Sequence, residues 1–128
     1  MIAEQGKRLD RAIYLISDEP YRKIVYDDAV VPSIFSNSTN SIIASSYSKD
    51  ISIPGERIGY AAANPKAVFC EELAAGLALS SRILGFVNVS AFMQRVVGRI
   101  QGVSVDFSEY ARKRNLICDG LSQGGYEF

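Results

Sequence analysis

The residues with the most chemistry in them lie in "SSYSKDISIPGERIGYAAANP", Ser45 to Pro65. Lys49 follows closely on an apolar run, has the small hydroxyl residues Ser46 and Ser48 before it, and is followed eight positions later by Arg57. A lysine so placed does one of two things. Its primary amine condenses with a carbonyl to make a covalent imine, or its charge keeps a loop between strands solvated. Upstream, "SDEPY" places Asp18 and Tyr21 just after another short apolar run. A lone Asp-Glu-Pro-Tyr is usually a turn and a lone Ser-Lys usually a solvated loop, so neither stretch decides the matter by itself.

The elements that must position these residues are legible from apolar patterning. Ala12 to Ile16, "AIYLI", is an unbroken apolar run that predicts a buried strand, stopped by Pro20. Ser41 to Ser46, "SIIASS", predicts a second strand ending just before Lys49. Arg57 to Ala63, "RIGYAAA", predicts a third that follows a Pro54-Gly55 turn and pairs beside the second. Asn64-Pro65 then suits a helix start, with Phe69, Leu73 and Leu77 as its apolar stripe and Gly85 as its end. A further helix is expected from Asn88 to Ser90 onward, with Phe92, Val96 and Ile100 on one face and Gly102 as its stop. The last begins at Asp106, has Glu109 placed as in a capping box, and runs through Phe107, Tyr110, Ile117 and Leu121. Apolar strands followed by helices predict an α/β fold. In open α/β sheets, ligands sit beyond the carboxyl ends of the strands, where Asp18 and Lys49 both fall.

Composition narrows the classes further. The chain has 128 residues, 48% of them apolar, enough to form a core. Fourteen basic residues balance fourteen acidic ones, which predicts no global attraction to nucleic acid or to an anionic membrane, so any bound anion must be held locally. The basic cluster Arg112 to Arg114 fits a solvated helix face under that balance. No apolar run reaches the roughly 20 residues needed to cross a bilayer, and a cytoplasmic protein is the default expectation. With no histidine, a zinc site or a Ser/His triad has nothing to work with; the two cysteines, Cys70 and Cys118, fit free thiols.

Taken together, the two stretches resemble a known family. "SYSKDISIPGERIG", Ser46 to Gly59, is similar to the lysine-attachment signature of the class I and II aminotransferases, pyridoxal-phosphate enzymes of fold type I. "SDEPYRKIVYD", Ser17 to Asp27, resembles the family's second marker, an Asp followed three residues later by Tyr, about thirty residues before the lysine. The resemblance implies that Lys49 forms a Schiff base with the cofactor and then carries protons as general base and acid. It further implies that Asp18 stabilises the protonated ring nitrogen and that Tyr21 donates to the ring's phenolic oxygen. Ser46 and Arg57 would bind the phosphate, and Ser48 would leave clearance beside the lysine. The same residues also serve a lyase or synthase reaction that begins with Cα deprotonation, and a non-catalytic α/β interaction domain is the remaining alternative.

The resemblance also implies an organisation. Residues 1–104 correspond to the central and C-terminal part of a large cofactor-binding domain with a mostly parallel sheet flanked by helices. Residues 105–128 correspond to a helix leading toward a smaller domain. Both ends of the chain look unfinished against that pattern. The family's phosphate loop, ring-stacking aromatic, partner Asn of Tyr21 and substrate-carboxylate Arg have no counterpart here. The expectation is therefore a fragment with little or no activity alone, prone to self-association at open strand edges, from a parent enzyme that is a homodimer acting on an amino acid and a 2-oxo acid.

Overall fold

The computed structural model describes residues 2–127. In chain order the elements are α1 (Ile2–Arg8), β1 (Leu15–Asp18), α2 (Ile34–Asn37), β2 (Ser41–Ser46), α3 (Tyr47–Asp50), β3 (Gly59–Ala63), α4 (Cys70–Ile83), α5 (Ala91–Arg99) and α6 (Ser108–Gln123). The predicted mixture of helices and strands is present, and β2 has the predicted bounds. Its continuous apolar run places Ile42 in the core, where Ile58, Ala67 and Val97 are also buried.

β2 is the middle strand of three. β1 runs parallel to it, with Leu15 opposite Ser41 and Asp18 opposite Ala44. β3 pairs on its other side, as expected, but antiparallel, with Ser46 opposite Gly59 and Ile42 opposite Ala63. Residues 47–58 leave and return at the same end of the sheet through α3 and a 3-10 turn at Pro54–Glu56, so the chain comes back in the opposite direction. Apolar patterning marks strands without encoding their direction.

Several boundaries differ from expectation. β1 begins at Leu15, where the amide donates to the Asn40 carbonyl at 2.9 Å; the apolar residues Ala12 to Tyr14 lie outside the ladder. The strand is also open, with Ile16 66% exposed, because nothing among the described residues covers that face. α4 starts five residues after Pro65, at Cys70. Asn64 does accept the Lys66 amide at 3.0 Å, as a cap would, but Phe69 adopts φ +56° and breaks the helix path. Val68 is held by tertiary bonds, its amide to Asn40 Oδ1 at 3.0 Å and its carbonyl from Tyr14 Oη at 2.6 Å.

In α5 the inward face is centred on Val97; of the expected Phe92, Val96 and Ile100, the last two are partly covered as expected, whereas Phe92 points outward at 71% exposure. α6 is preceded by Asp106, whose carboxylate accepts the Ser108 amide at 2.9 Å. Glu109 pairs with Arg112 at 3.0 Å, so its side chain is engaged within the helix.

Candidate active site

The strands deliver polar groups to one end of the sheet. Because Asp18 is in register with Ala44 and side chains alternate, Asp18, Ala44 and Ser46 share a sheet face. On β3 the matching positions are Ala61 and Gly59, so this end has a floor of small side chains. Gly59 is required sterically: a Cβ there would lie 2.4 Å from the Ser45 carbonyl oxygen. The glycine two residues after Arg57 is thus explained by close strand approach.

β2 turns directly into α3. Ser46 is the N-cap, its hydroxyl accepting the Ser48 amide at 3.4 Å, and Lys49 emerges exposed on that short turn. The Lys49 ammonium stands over the Tyr21 ring, 5.4 Å from its centroid, a cation–π contact between the two motif segments. Tyr21 is itself held by the loop after β1. The Glu19 amide continues the ladder to Ala44 at 2.8 Å, and Ser45 Oγ donates to the Glu19 carbonyl at 3.1 Å. Arg22 bonds Glu19 at 3.0 Å and donates to the carbonyls of Val31 and Pro32, folding the loop back on itself.

Arg57 lies at the end of the 3-10 turn in the left-handed region, φ +51° and ψ +43°. Its guanidinium donates to the Pro54 carbonyl at 2.8 Å and, among the described residues, pairs with neither Glu56 nor Glu19, the latter being engaged by Arg22. The structure therefore joins Lys49 with Tyr21 and sets Asp18 and Ser46 on one face, while Arg57 borders the same turn through the Tyr47 amide to Ile58 carbonyl bond of 3.1 Å. Ser48 contributes its backbone to the cap.

Two features escaped sequence reasoning. Asp50, the residue after Lys49, is buried and binds Lys23 Nζ at 2.6 Å. Its partner is 27 residues away, and no periodicity signals such a pair. Arg114 forms a two-pronged bond to Asp27 at 2.8 and 3.1 Å and stacks 4.5 Å above Tyr26, so one member of the basic cluster is a tertiary tether rather than a solvated charge. The Arg114 guanidinium holds the Asp27 carboxyl below its ordinary value, and Asp27 in turn raises that of Arg114.

Comparison with known proteins bears on this arrangement. The profile of the family described as "Aminotransferase class I and II" matches residues 6–117. The chain is 37% identical over 86 residues to an aspartate aminotransferase of Pyrococcus horikoshii, covering 66% of this chain and 20% of that protein. It is 30% identical over 120 residues to a valine–pyruvate aminotransferase of Mycobacterium tuberculosis, covering 90% of this chain and 30% of that protein. The crystal structure of an amino transferase from Eubacterium rectale superposes with a TM-score of 0.94 at 36% identity, over 98% of this chain and 32% of that one. The chain thus spans about a third or less of the length of the proteins it matches. With the family profile reaching from α1 into α6, and a solved aminotransferase following the same path through the lysine turn, the chain belongs to the class I and II aminotransferase family.

Proposed function

We propose that the protein carrying this chain is a pyridoxal-phosphate-dependent enzyme that transfers an amino group between an amino acid and a 2-oxo acid. The observation that carries this reading is the meeting of Lys49 and Tyr21 beyond the strand ends where Asp18 and Ser46 share a face, within a chain of this family. The donor set fits the cofactor chemically. It offers a primary amine for an aldehyde, a carboxylate for a ring cation, a phenol for the ring oxygen, and a hydroxyl with a guanidinium for a phosphate. The small residues Ala44, Ala61 and Gly59 beside Asp18 and Ser46 suit a flat ring.

When bound, pyridoxal phosphate supplies an electron sink for negative charge at the substrate Cα. This chain's residues do the rest. Lys49 would hold the cofactor through its aldehyde carbon and, once freed by the substrate amine, would serve as the general base that takes the proton from the substrate Cα and the general acid that delivers it to the former aldehyde carbon. Asp18 keeps the ring nitrogen protonated by placing a negative charge beside it, and Tyr21 donates a hydrogen bond to the phenolic oxygen. Ser46 and Arg57 bind the phosphate, and the small Ser48 leaves room beside the lysine. Residues 1–104 belong, in this reading, to the large domain, and residues 105–128 lead from it toward a smaller one. Because the chain spans about a third or less of the length of its relatives, residues 1–128 alone are expected to give little or no turnover. The whole enzyme is expected to be a cytoplasmic homodimer.

The test is to add pyridoxal phosphate, record visible absorbance, reduce with borohydride and map the modified peptide by mass. Label on Lys49 that disappears in Lys49→Ala supports the reading, and a folded full-length protein with no label there overturns it. Amino exchange between an amino acid and a 2-oxo acid, assayed on the full-length protein, distinguishes transfer from lyase chemistry.

A further inference from the structure

Asp50 is the one buried charged side chain among the described residues, and it joins three separate segments. One carboxylate oxygen accepts from Lys23 Nζ at 2.6 Å, in the loop after β1. The other accepts from Ser104 Oγ, in the segment before α6. The Asp50 backbone carbonyl accepts the Val105 amide at 3.0 Å. A buried carboxylate is costly unless paired and hydrogen-bonded, and breaking one side of such a pair leaves a strong drive to rearrange.

The placement of this pair is specific. Tyr21 meets Lys49 at 5.4 Å, and Lys23 meets Asp50, so two cross-connections run side by side between the same two chain segments. Lys49 itself is exposed on a helical turn only four residues long, Tyr47–Asp50, and lacks the support of a longer helix. What keeps its stem aimed at Tyr21 must come from neighbours. Asp50, the next residue along, is the only member of that turn whose side chain is buried and ionically fastened.

We propose that Asp50 is a positioning residue: its buried link to Lys23, secured from behind by Ser104, holds the Lys49 turn against the Tyr21 loop so that Lys49, and not Lys23, is the amine presented to the cofactor. This rests on the reading of Lys49 as the cofactor-binding lysine. The link selects between two amines. Lys23 is half-exposed and near the same loop, and its pairing with Asp50 occupies it as a counter-ion.

The experiment is borohydride trapping of pyridoxal phosphate on the full-length protein, with the label mapped by mass and its rate followed at each lysine. In Asp50→Asn, labelling of Lys49 falls about tenfold and label newly appears on Lys23, as expected when a reacting group loses its orientation. Lys23→Met slows Lys49 labelling by a similar factor, whereas Lys23→Arg, which keeps the ion pair, restores at least half the original rate. Lys23 is a surface position, so its two variants decide the question even if Asp50→Asn does not fold. Wild-type rates at Lys49 in Asp50→Asn or Lys23→Met would overturn the proposal, as would equal losses in Lys23→Met and Lys23→Arg. A wild-type protein that takes no label at Lys49 instead overturns the cofactor reading on which the proposal rests.

Discussion

The two ends of β2 use their polar residues in opposite ways. At the amino end, Ser41 is fully buried and Asn64 is 3% exposed, and their groups close on the protein itself. Ser41 Oγ donates to the Ser38 carbonyl at 2.6 Å, while the Ser41 carbonyl accepts the Asn64 amide at 2.9 Å. The Asn64 side chain donates to the carbonyls of Phe35 and Ser38, both at 3.1 Å, and accepts from the Lys66 amide. At the carboxyl end, Asp18, Tyr21, Lys49 and Arg57 are all exposed. A closed hydrogen-bond network fixes a backbone path, whereas an open set of charges keeps its bonding capacity for a ligand. One strand therefore has an end committed to folding and an end available for chemistry.

Substitutions can break or sharpen this contrast. The largest loss of stability is expected for Asn64→Leu, which removes the side-chain donor from the Phe35 and Ser38 carbonyls and the acceptor from the Lys66 amide at a position only 3% exposed. Urea unfolding should show a loss of about 3 kcal/mol. Gly59→Ala comes next, since its methyl group must displace the Ser45 backbone, and about 2 kcal/mol is expected by the same measurement.

A smaller, pH-dependent effect belongs to the Arg114 tether. Asp27 is held below its ordinary value, so the tether adds stability above the unfolded-state carboxyl value and loses it as pH falls through the lower folded-state one. Asp106, lowered by its bonds from Ser108, adds a step of the same sign. Near-ultraviolet circular dichroism of the tyrosines should report the first step, and Arg114→Gln should abolish it while leaving the Asp106 step. The smallest effect is expected at the open end. Lys49→Met and Asp18→Asn should change unfolding stability by no more than about 0.5 kcal/mol, even where cofactor labelling is lost. A marked destabilisation by either would mean that the carboxyl end is also committed to folding.

What the amino-acid sequence reveals of this division follows from the range of the interactions. β2 is legible because a continuous apolar run between Asn40 and Tyr47 settles it locally. Lys49 and Asp18 are legible because their spacing from strand ends is local too. β1 is displaced because a partner strand's carbonyl, that of Asn40, sets where pairing begins. α4 is delayed because Tyr14 and Asn40, both remote in sequence, hold Val68 out of the helix. The Lys23–Asp50 and Asp27–Arg114 pairs leave no periodic trace at all, since each joins residues whose separation is set by the fold. Local rules therefore identify the candidate site groups but miss the long-range pairs that lie beside them.

The left-handed backbone at Arg57 has a consequence for how this position can change over generations. If Arg57 binds the phosphate as proposed, two demands meet in one residue: a positive charge at its tip and the positive φ at its root. Glycine, asparagine and aspartate tolerate that φ best, and none of them carries the cation; β-branched residues satisfy neither demand. Lysine keeps the charge but gives up the planar fork of donors. Every single-residue step away from arginine thus forfeits charge, geometry or backbone ease, and drift at this site has no neutral path.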